Sequence, residues 1–129
     1  MNLVTGLHHV SILVADLPRA QAFYQGILGL QASLDRPDLT FAGVWYDIGV
    51  IQIHLINLPN LPNPKSGLTR PVHGGRDRHI ALTVNHMNEL KNRLDRANIP
   101  YTLSRSGRNA LFCRDPDDNG WELIAASGE

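Results

Sequence analysis

The chain has 129 residues, enough for one ordinary hydrophobic core and too few for two independent domains. Its 12 Lys and Arg match its 12 Asp and Glu, so it carries no electrostatic footprint for nucleic acid or an anionic membrane, and no apolar run approaches membrane-spanning length. The opening MNLVTGLHHV has neither the basic start nor the long apolar stretch of a signal peptide, and a single cysteine, Cys113, excludes an internal disulfide; the expectation is a cytoplasmic protein.

Taken in chain order, the first element is LHHVSILV, a strand in which side-chain alternation sends Val10, Ile12 and Val14 to one face and His9 and Ser11 to the other. His8 shares its parity with Val10 and is expected at the strand end on the helix side. Asp16 is then a candidate N-cap with Pro18 in the first turn, and RAQAFYQGILG reads as a helix with Ala22, Phe23 and Leu28 on its apolar face, ended by Gly29. Strands follow around Gln31 to Leu34, Phe41 to Ile48 and Val50 to Ile56. In the last of these, VIQIHLI, Ile51, Ile53 and Leu55 oppose Gln52 and His54.

The segment NLPNLPNPKSGLTRPVHGGRDR is rich in Pro, Gly and Asn without periodicity, so it reads as a loop long enough to act as a lid or substrate contact. Beyond it the order repeats. HIALTV sets Ile80, Leu82 and Val84 against His79 and Thr83. Asn85 caps a helix through MNELKNRLDRAN, with Met87, Leu90, Leu94 and Ala97 on one side, and Asn98 and Pro100 stop it. Strands then run around Tyr101 to Ser104, Ala110 to Arg114 and Trp121 to Ala126, the last placing Trp121 and Leu123 opposite Glu122. Cys113, on the apolar run ALFC, is expected to be a buried packing residue.

Both halves therefore read βαβββ. His79 lies seventy residues after His9, and Glu122 lies sixty-eight after His54, so each half offers one polar, sheet-facing residue from its first strand and one from its last. The fold class expected is α+β, with two βαβββ modules forming a curved mixed sheet around a metal-binding cleft. One domain spans 1–129, with module one at about 5–58, a linker at 59–77 and module two at about 78–127.

Three imidazoles and a carboxylate, His9, His54, His79 and Glu122, make an N₃O donor set suited to one divalent ion such as Zn, Ni, Co, Mn or Fe and unlike the all-oxygen cages of calcium. On an octahedral ion the four would leave two positions for water or for two adjacent substrate oxygens. Gln52 and Ser11 face the same side by parity, as supports or substrate contacts. Trp45 and Trp121 read as packing residues, with Trp45 and Tyr46 able to border the cleft. His73 and His86 fall in a loop and near a helix start. Arg36, Arg70, Arg105 and Arg108 are able to grip an anionic substrate, although on loops and edges a solvated arginine is the commoner case.

The run LHHVSILVADLPRAQAFYQGILGL, together with IHLI, RHIALTV and DPDDNGWELI, resembles the vicinal oxygen chelate superfamily of glyoxalase I, extradiol dioxygenases, fosfomycin-resistance thiol transferases and bleomycin-binding proteins. The resemblance covers nearly the whole chain. It is carried most specifically by Phe23, Tyr24, Leu28 and Gly29, and by Asp115, Pro116, Gly120, Glu122 and Leu123. It implies metal ligands at His9, His54, His79 and Glu122, the residues that strand parity selects. It also implies a homodimer acting on a small-molecule substrate.

Three activities follow from the resemblance. The first is a glyoxalase I-like isomerase or lyase on a substrate that chelates the metal through adjacent oxygens, with Glu122 and His54 as the catalytic pair. The second is an Fe(II) extradiol-type ring-cleaving dioxygenase built on His9, His79 and Glu122, which the presence of Phe112, where those enzymes carry tyrosine, weakens. The third is a non-catalytic drug-binding protein of the bleomycin-resistance kind, against which a complete ligand set argues. Thiol transfer of the fosfomycin type ranks below these, because no basic residue follows Arg114.

Overall fold

The computed structural model describes residues 1–61 and 70–128, in two compact units, Met1–Leu61 and Pro62–Glu129. Each unit is an α+β module with its own mixed sheet. The proposed lid therefore lies partly outside the described residues, since 62–69 belong to it.

In the first unit, β1 (His9–Val14) leads to α1 (Leu17–Gln21), which continues as a π-helical stretch (Ala22–Ile27). Asp16 caps the helix as expected, its carboxylate accepting from Arg19 N at 3.1 Å, a contact that contributes about 1 kcal/mol to the helix start. Gly29, at φ 73°, ends it in the left-handed region. β2 (Gly43–Ile48) and β3 (Ile51–Asn57) complete a three-stranded sheet in the order β1-β3-β2, with β1 parallel and β2 antiparallel to β3.

The strand expected at 31–34 is shorter than its composition suggests. Ala32 makes a single antiparallel bridge to Tyr46, flanked by the hydrogen bonds Ser33 N to Trp45 O and Asp47 N to Gln31 O. Ser33 Oγ then accepts from Asp35 N and turns the chain away before a ladder can extend.

Burial follows the alternation. Val14, Phe23, Tyr24, Tyr46, Ile53 and Leu55 are buried together with Ala20, and Tyr46 donates from its hydroxyl to Gln25 Oε1 at 3.0 Å. Tyr46 is thus a core residue rather than part of a cleft, and burial pushes its phenol up to about 12. Gly43 cannot be larger, because a Cβ there would run into the backbone carbonyl of Leu55.

The second unit starts with a 3₁₀ turn (Gly74–Arg76), then β4 (Ile80–Val84), α2 (Met87–Arg96), β5 (Tyr101–Leu103), β6 (Ala110–Arg114) and β7 (Gly120–Ala125). Its sheet has the order β4-β7-β6-β5, parallel between β4 and β7 and antiparallel elsewhere. The α2 cap is displaced by one residue from the expected Asn85: His86 occupies it, at φ 58°. Asn98, at φ 56°, ends the helix as expected.

Met87, Leu90 and Leu94 are buried along one face of α2, and Leu111, Cys113, Trp121 and Leu123 are buried in the sheet. Burial raises the Cys113 thiol to about 12, with the Asp115 carboxylate adding to the effect, so this cysteine is an inert packing group. No helix among the described residues is long and apolar enough to cross a membrane.

Candidate metal centre

The register of β1 and β3 decides the first half of the site. His9 pairs with Gln52 and Ser11 with His54, and directly paired residues project to the same face, so these four share a face as their parity requires. The antiparallel pairing of Trp45 with His54 adds the indole. The three rings stack: Trp45 lies 4.1 Å from His54 with an interplanar angle of 5°, and His54 lies 4.3 Å from His9 at 15°. Trp45 is therefore a wall of the candidate site and not simply a packing residue.

Polar neighbours fix which ring nitrogens remain available. Gln52 Nε2 donates to Asp47 Oδ1 at 2.8 Å, so its carbonyl oxygen faces His54 Nε2 at 2.9 Å and accepts from it. The neutral His54 ring then keeps its lone pair on Nδ1. His8 and His9 meet through their Nδ1 atoms at 2.8 Å; with His9 as donor, its Nε2 carries a lone pair. His8 thus supports His9, a role its parity did not reveal. Burial holds the His54 pKa below the ordinary 6.5, helped by the positive fields of His9, His8 and Arg36, so His54 stays neutral, the form in which imidazole binds a metal.

The second unit brings His79 and Glu122 together at 3.3 Å between Nε2 and Oε1. Three features produce that approach. His79 Nδ1 donates to the Asp77 carbonyl at 2.9 Å, so its Nε2 is the lone-pair nitrogen of the neutral ring. Gly120 lets β7 run close to the start of β4: a Cβ there would stand 2.8 Å from Arg78 O and 3.4 Å from His79 Cβ. Finally, the β6–β7 turn is built on Asp115, whose Oδ1 accepts from the backbone amides of Asp117 and Asn119 at 2.9 and 2.8 Å and whose Oδ2 accepts from Asn119 Nδ2 at 2.8 Å. That turn sets Phe112 opposite Glu122, and Phe112 packs edge-on against both His79 and His73, with centroids 5.0 and 4.9 Å away.

A charged clamp holds the segment that orients His79. Arg114 Nη1 donates to Asp77 Oδ2 at 2.8 Å, Arg114 Nη2 to Pro71 O at 2.9 Å, and Arg70 Nη1 to Asp118 O at 2.8 Å. Burial alone would raise the Asp77 carboxyl, but the hydrogen bonds from Arg114 and the Arg78 amide, with the charges of Arg114 and Arg70, hold it below its ordinary 3.8. Of the arginines read as anion-binding candidates, Arg70 is thus committed to structure. So is Arg36, which donates to Phe41 O at 2.8 Å and lies over the Phe41 ring.

His73 is fixed by Thr102 Oγ1 at 2.7 Å, and the two glycines after it are explained by space: a Cβ on Gly75 would stand 2.8 Å from His73 Nε2, and one on Gly74 3.1 Å from Phe112 Cβ.

The donor set can be tested against a metal from the second pair alone. Nε2 of His79 and Oε1 of Glu122 face each other at 3.3 Å, and two donors on one ion with bonds of about 2.1 Å stand about 3 Å apart. Glu122 Oε2 is buried without a hydrogen bond: Arg108 Nη2 lies 3.3 Å away, close enough for charge attraction but outside hydrogen-bond geometry. A buried carboxylate with an unsatisfied oxygen beside an imidazole lone pair fits a cation. The donors are paired within each unit, and among the described residues no three His, Cys, Asp or Glu side chains form a metal-binding group.

Comparisons with known proteins bear on the family and the fold. The family model described as Glyoxalase/Bleomycin resistance protein/Dioxygenase superfamily matches residues 6–123. The chain is 28% identical over 125 residues to the uncharacterized protein YwkD of Bacillus subtilis (strain 168), covering 94% of this chain and 97% of that one. It is 29% identical over 125 residues to the mitochondrial methylmalonyl-CoA epimerase of Homo sapiens, covering 92% and 70% respectively. Among solved structures, the fosfomycin resistance protein FosX of Listeria monocytogenes aligns with a TM-score of 0.71 at 19% identity, over 97% of this chain and 94% of that one. A FosX mutant from the same organism, complexed with Mn(II) and 1S,2S-dihydroxypropylphosphonic acid, aligns at 0.67 and 21% identity, over 98% and 95%. At these identities the structural likeness shows the fold alone.

Proposed function

The chain belongs to the glyoxalase/bleomycin resistance protein/dioxygenase superfamily, and from that premise we propose that it is a divalent-metal-dependent isomerase. Its two modules would act as one domain, with His9, His54, His79 and Glu122 as ligands of a single Zn, Ni, Co, Mn or Fe ion. The observation that carries this reading is the 3.3 Å approach of His79 Nε2 and Glu122 Oε1, beside a buried Oε2 without a hydrogen bond. When bound, the ion supplies Lewis-acid stabilisation of negative charge developing on substrate oxygens.

The residues of the chain do the rest. His8 and Gln52 orient the two imidazoles of the first module, and Asp77 orients that of the second. Trp45 covers a face of the His54 ring, and Phe112 packs against His79. Glu122 and His54 are the acid–base pair: one group accepts the proton from the carbon beside a carbonyl and the other returns a proton to it. Similarity to methylmalonyl-CoA epimerase supports the isomerase class over lyase chemistry. In a methylmalonyl thioester the stereocentre lies between two carbonyl groups whose oxygens can chelate one ion. The substrate proposed is therefore a small acid derivative with an acidic carbon between two such oxygens.

The test is deuterium exchange. Metal-loaded protein in D₂O should wash the α-proton out of a methylmalonyl thioester, and Glu122→Gln should not. If the substrate's proton stays in place with every metal tried, the isomerase reading falls. The reading also takes the protein to be a cytoplasmic homodimer, and a monomer by light scattering at micromolar concentration would remove the dimer.

The dioxygenase reading has a specific weakness in Phe112. It stands opposite Glu122 and brings an apolar ring edge, with no hydroxyl, against His79.

A further inference from the structure

We infer that Arg108 is a specificity-determining residue, which binds an anionic group of the substrate, a carboxylate, next to the oxygens held at the proposed metal centre. This inference deepens the proposed function and rests on it.

Arg108 lies in the loop between β5 and β6. Ser104 N donates to Ala110 O at 2.9 Å, and Gly107, at φ 89°, supplies the left-handed residue that this short return needs. Within it, Ser104 and Ser106 are joined Oγ to Oγ at 2.8 Å, Ser106 N donates to Ser104 Oγ at 3.2 Å, and Ser106 Oγ accepts from Arg108 Nε at 3.2 Å. Two serines therefore anchor the guanidinium by its Nε edge. Its outer nitrogens remain directed elsewhere, and Nη2 stands 3.3 Å from Glu122 Oε2.

The two partners are unlike in burial: the Glu122 side chain is 5% exposed and that of Arg108 58%. An arginine so exposed beside so buried a carboxylate is not closing a core ion pair. It reaches in from solvent with donors to spare. Arg108 makes no hydrogen bond to Oε2, so the pair is held by charge.

Once Glu122 is engaged by an ion, a guanidinium fixed at this place has a fork of N–H donors matched to a carboxylate in a bidentate pose. Two other cations of this unit, Arg70 and Arg114, are engaged by Asp77 and Asp118. The substrate class that follows is a chelating acid derivative that keeps one free carboxylate oxygen beside the chelated pair.

The experiment is calorimetric titration of the metal-loaded protein with two small probes. Malonate chelates through two oxygens and leaves carboxylate oxygens over; acetohydroxamate chelates through two adjacent oxygens and leaves none. Metal affinity is measured in the same preparations. Arg108→Gln should weaken malonate by about 10- to 100-fold while leaving acetohydroxamate and metal affinity unchanged, and Arg108→Lys should recover part of the loss.

Equal malonate binding in wild type and Arg108→Gln overturns the inference and leaves the metal reading intact. Loss of both probes, or of the metal, in Arg108→Gln also overturns it, because Arg108 would then be holding Glu122 in place rather than meeting a ligand. A wild-type protein that takes up no metal removes the inference together with the reading beneath it.

Discussion

The two modules share a strand-helix-strand plan, with four strands in the second and three plus a bridge at Ala32 in the first, and they position their candidate donors by different means. In the first, His9 and His54 are held by side chains, through His8, through the Asp47–Gln52 pair, and through stacking on Trp45. In the second, His79 is held by a backbone carbonyl, that of Asp77, whose segment is tied to the far end of β6 by Arg114 and to the β6–β7 turn by Arg70. The lesson is that strand parity chooses the face, while the elements outside the strands choose the nitrogen. A side-chain support can be altered with little effect on the fold, but a support made of backbone and charge is part of the fold.

The largest effect should come from removing the one carboxylate. Glu122→Gln keeps the volume and deletes the charge, and metal affinity by competition with a chelating dye should fall more than about 100-fold, beyond the loss typical of supporting residues. Thermal stability should hold or rise, because a buried carboxylate oxygen without a hydrogen bond is removed.

Next comes the clamp. Arg114→Met should lower metal affinity by about 10- to 100-fold and also lower the melting temperature by roughly 5 °C. Asp77, held below 3.8 in the folded protein, contributes stability that is present above 3.8 and lost as pH falls through the depressed value. Arg114→Met should accordingly flatten the acid limb of a stability–pH curve.

Gly120→Ala tests the close approach of β7 to the start of β4. With its Cβ 2.8 Å from a backbone carbonyl, it should cost about 1–3 kcal/mol in urea unfolding. Gln52→Leu is the matching change in the first module. It should weaken metal binding about tenfold with no change in the urea midpoint, and an equal loss of stability from Gln52→Leu and Arg114→Met would erase the contrast between the modules.

The smallest effect concerns His73. Burial lowers its pKa below 6.5, with Arg105, Arg76 and His79 adding to the shift, so its contribution to stability is complete above 6.5 and is lost as pH falls through the folded value. His73→Gln should make the decline in melting temperature below pH 6.5 slightly shallower, and an unchanged slope would deny His73 that role.

Much of this arrangement was legible in the sequence. Alternation alone placed His9, His54, His79 and Glu122 on the faces opposite Val14, Ile53 and Leu123, and the near-equal spacing exposed the repeat. Asp16 and Gly29 bounded the first helix as capping chemistry requires.

The misses have two causes, a local competition for hydrogen bonds and contacts between residues distant in sequence. The strand expected at 31–34 reduces to the bridge at Ala32 because Ser33 turns the chain at Asp35, a competition between a side-chain hydrogen bond and a ladder that composition does not resolve. Trp45 was expected either to pack or to border the cleft, and its register with His54 sets it beside the candidate donors. The clamp joins residues 37 apart, Asp77 and Arg114, and leaves no local signature. Arg108 was one of four arginines that the sequence offered as anion-binding candidates, and its place beside Glu122 emerged only from the hairpin.

The most direct measurement of the central claim is metal content per chain, by elemental analysis of untagged protein purified without chelator, beside His9→Ala and His79→Ala. The account requires about one equivalent of a divalent transition metal in the wild type and its loss in both variants, one from each module. A wild-type protein that holds none and takes up none on reconstitution, or one that keeps its metal when either histidine is removed, would contradict it.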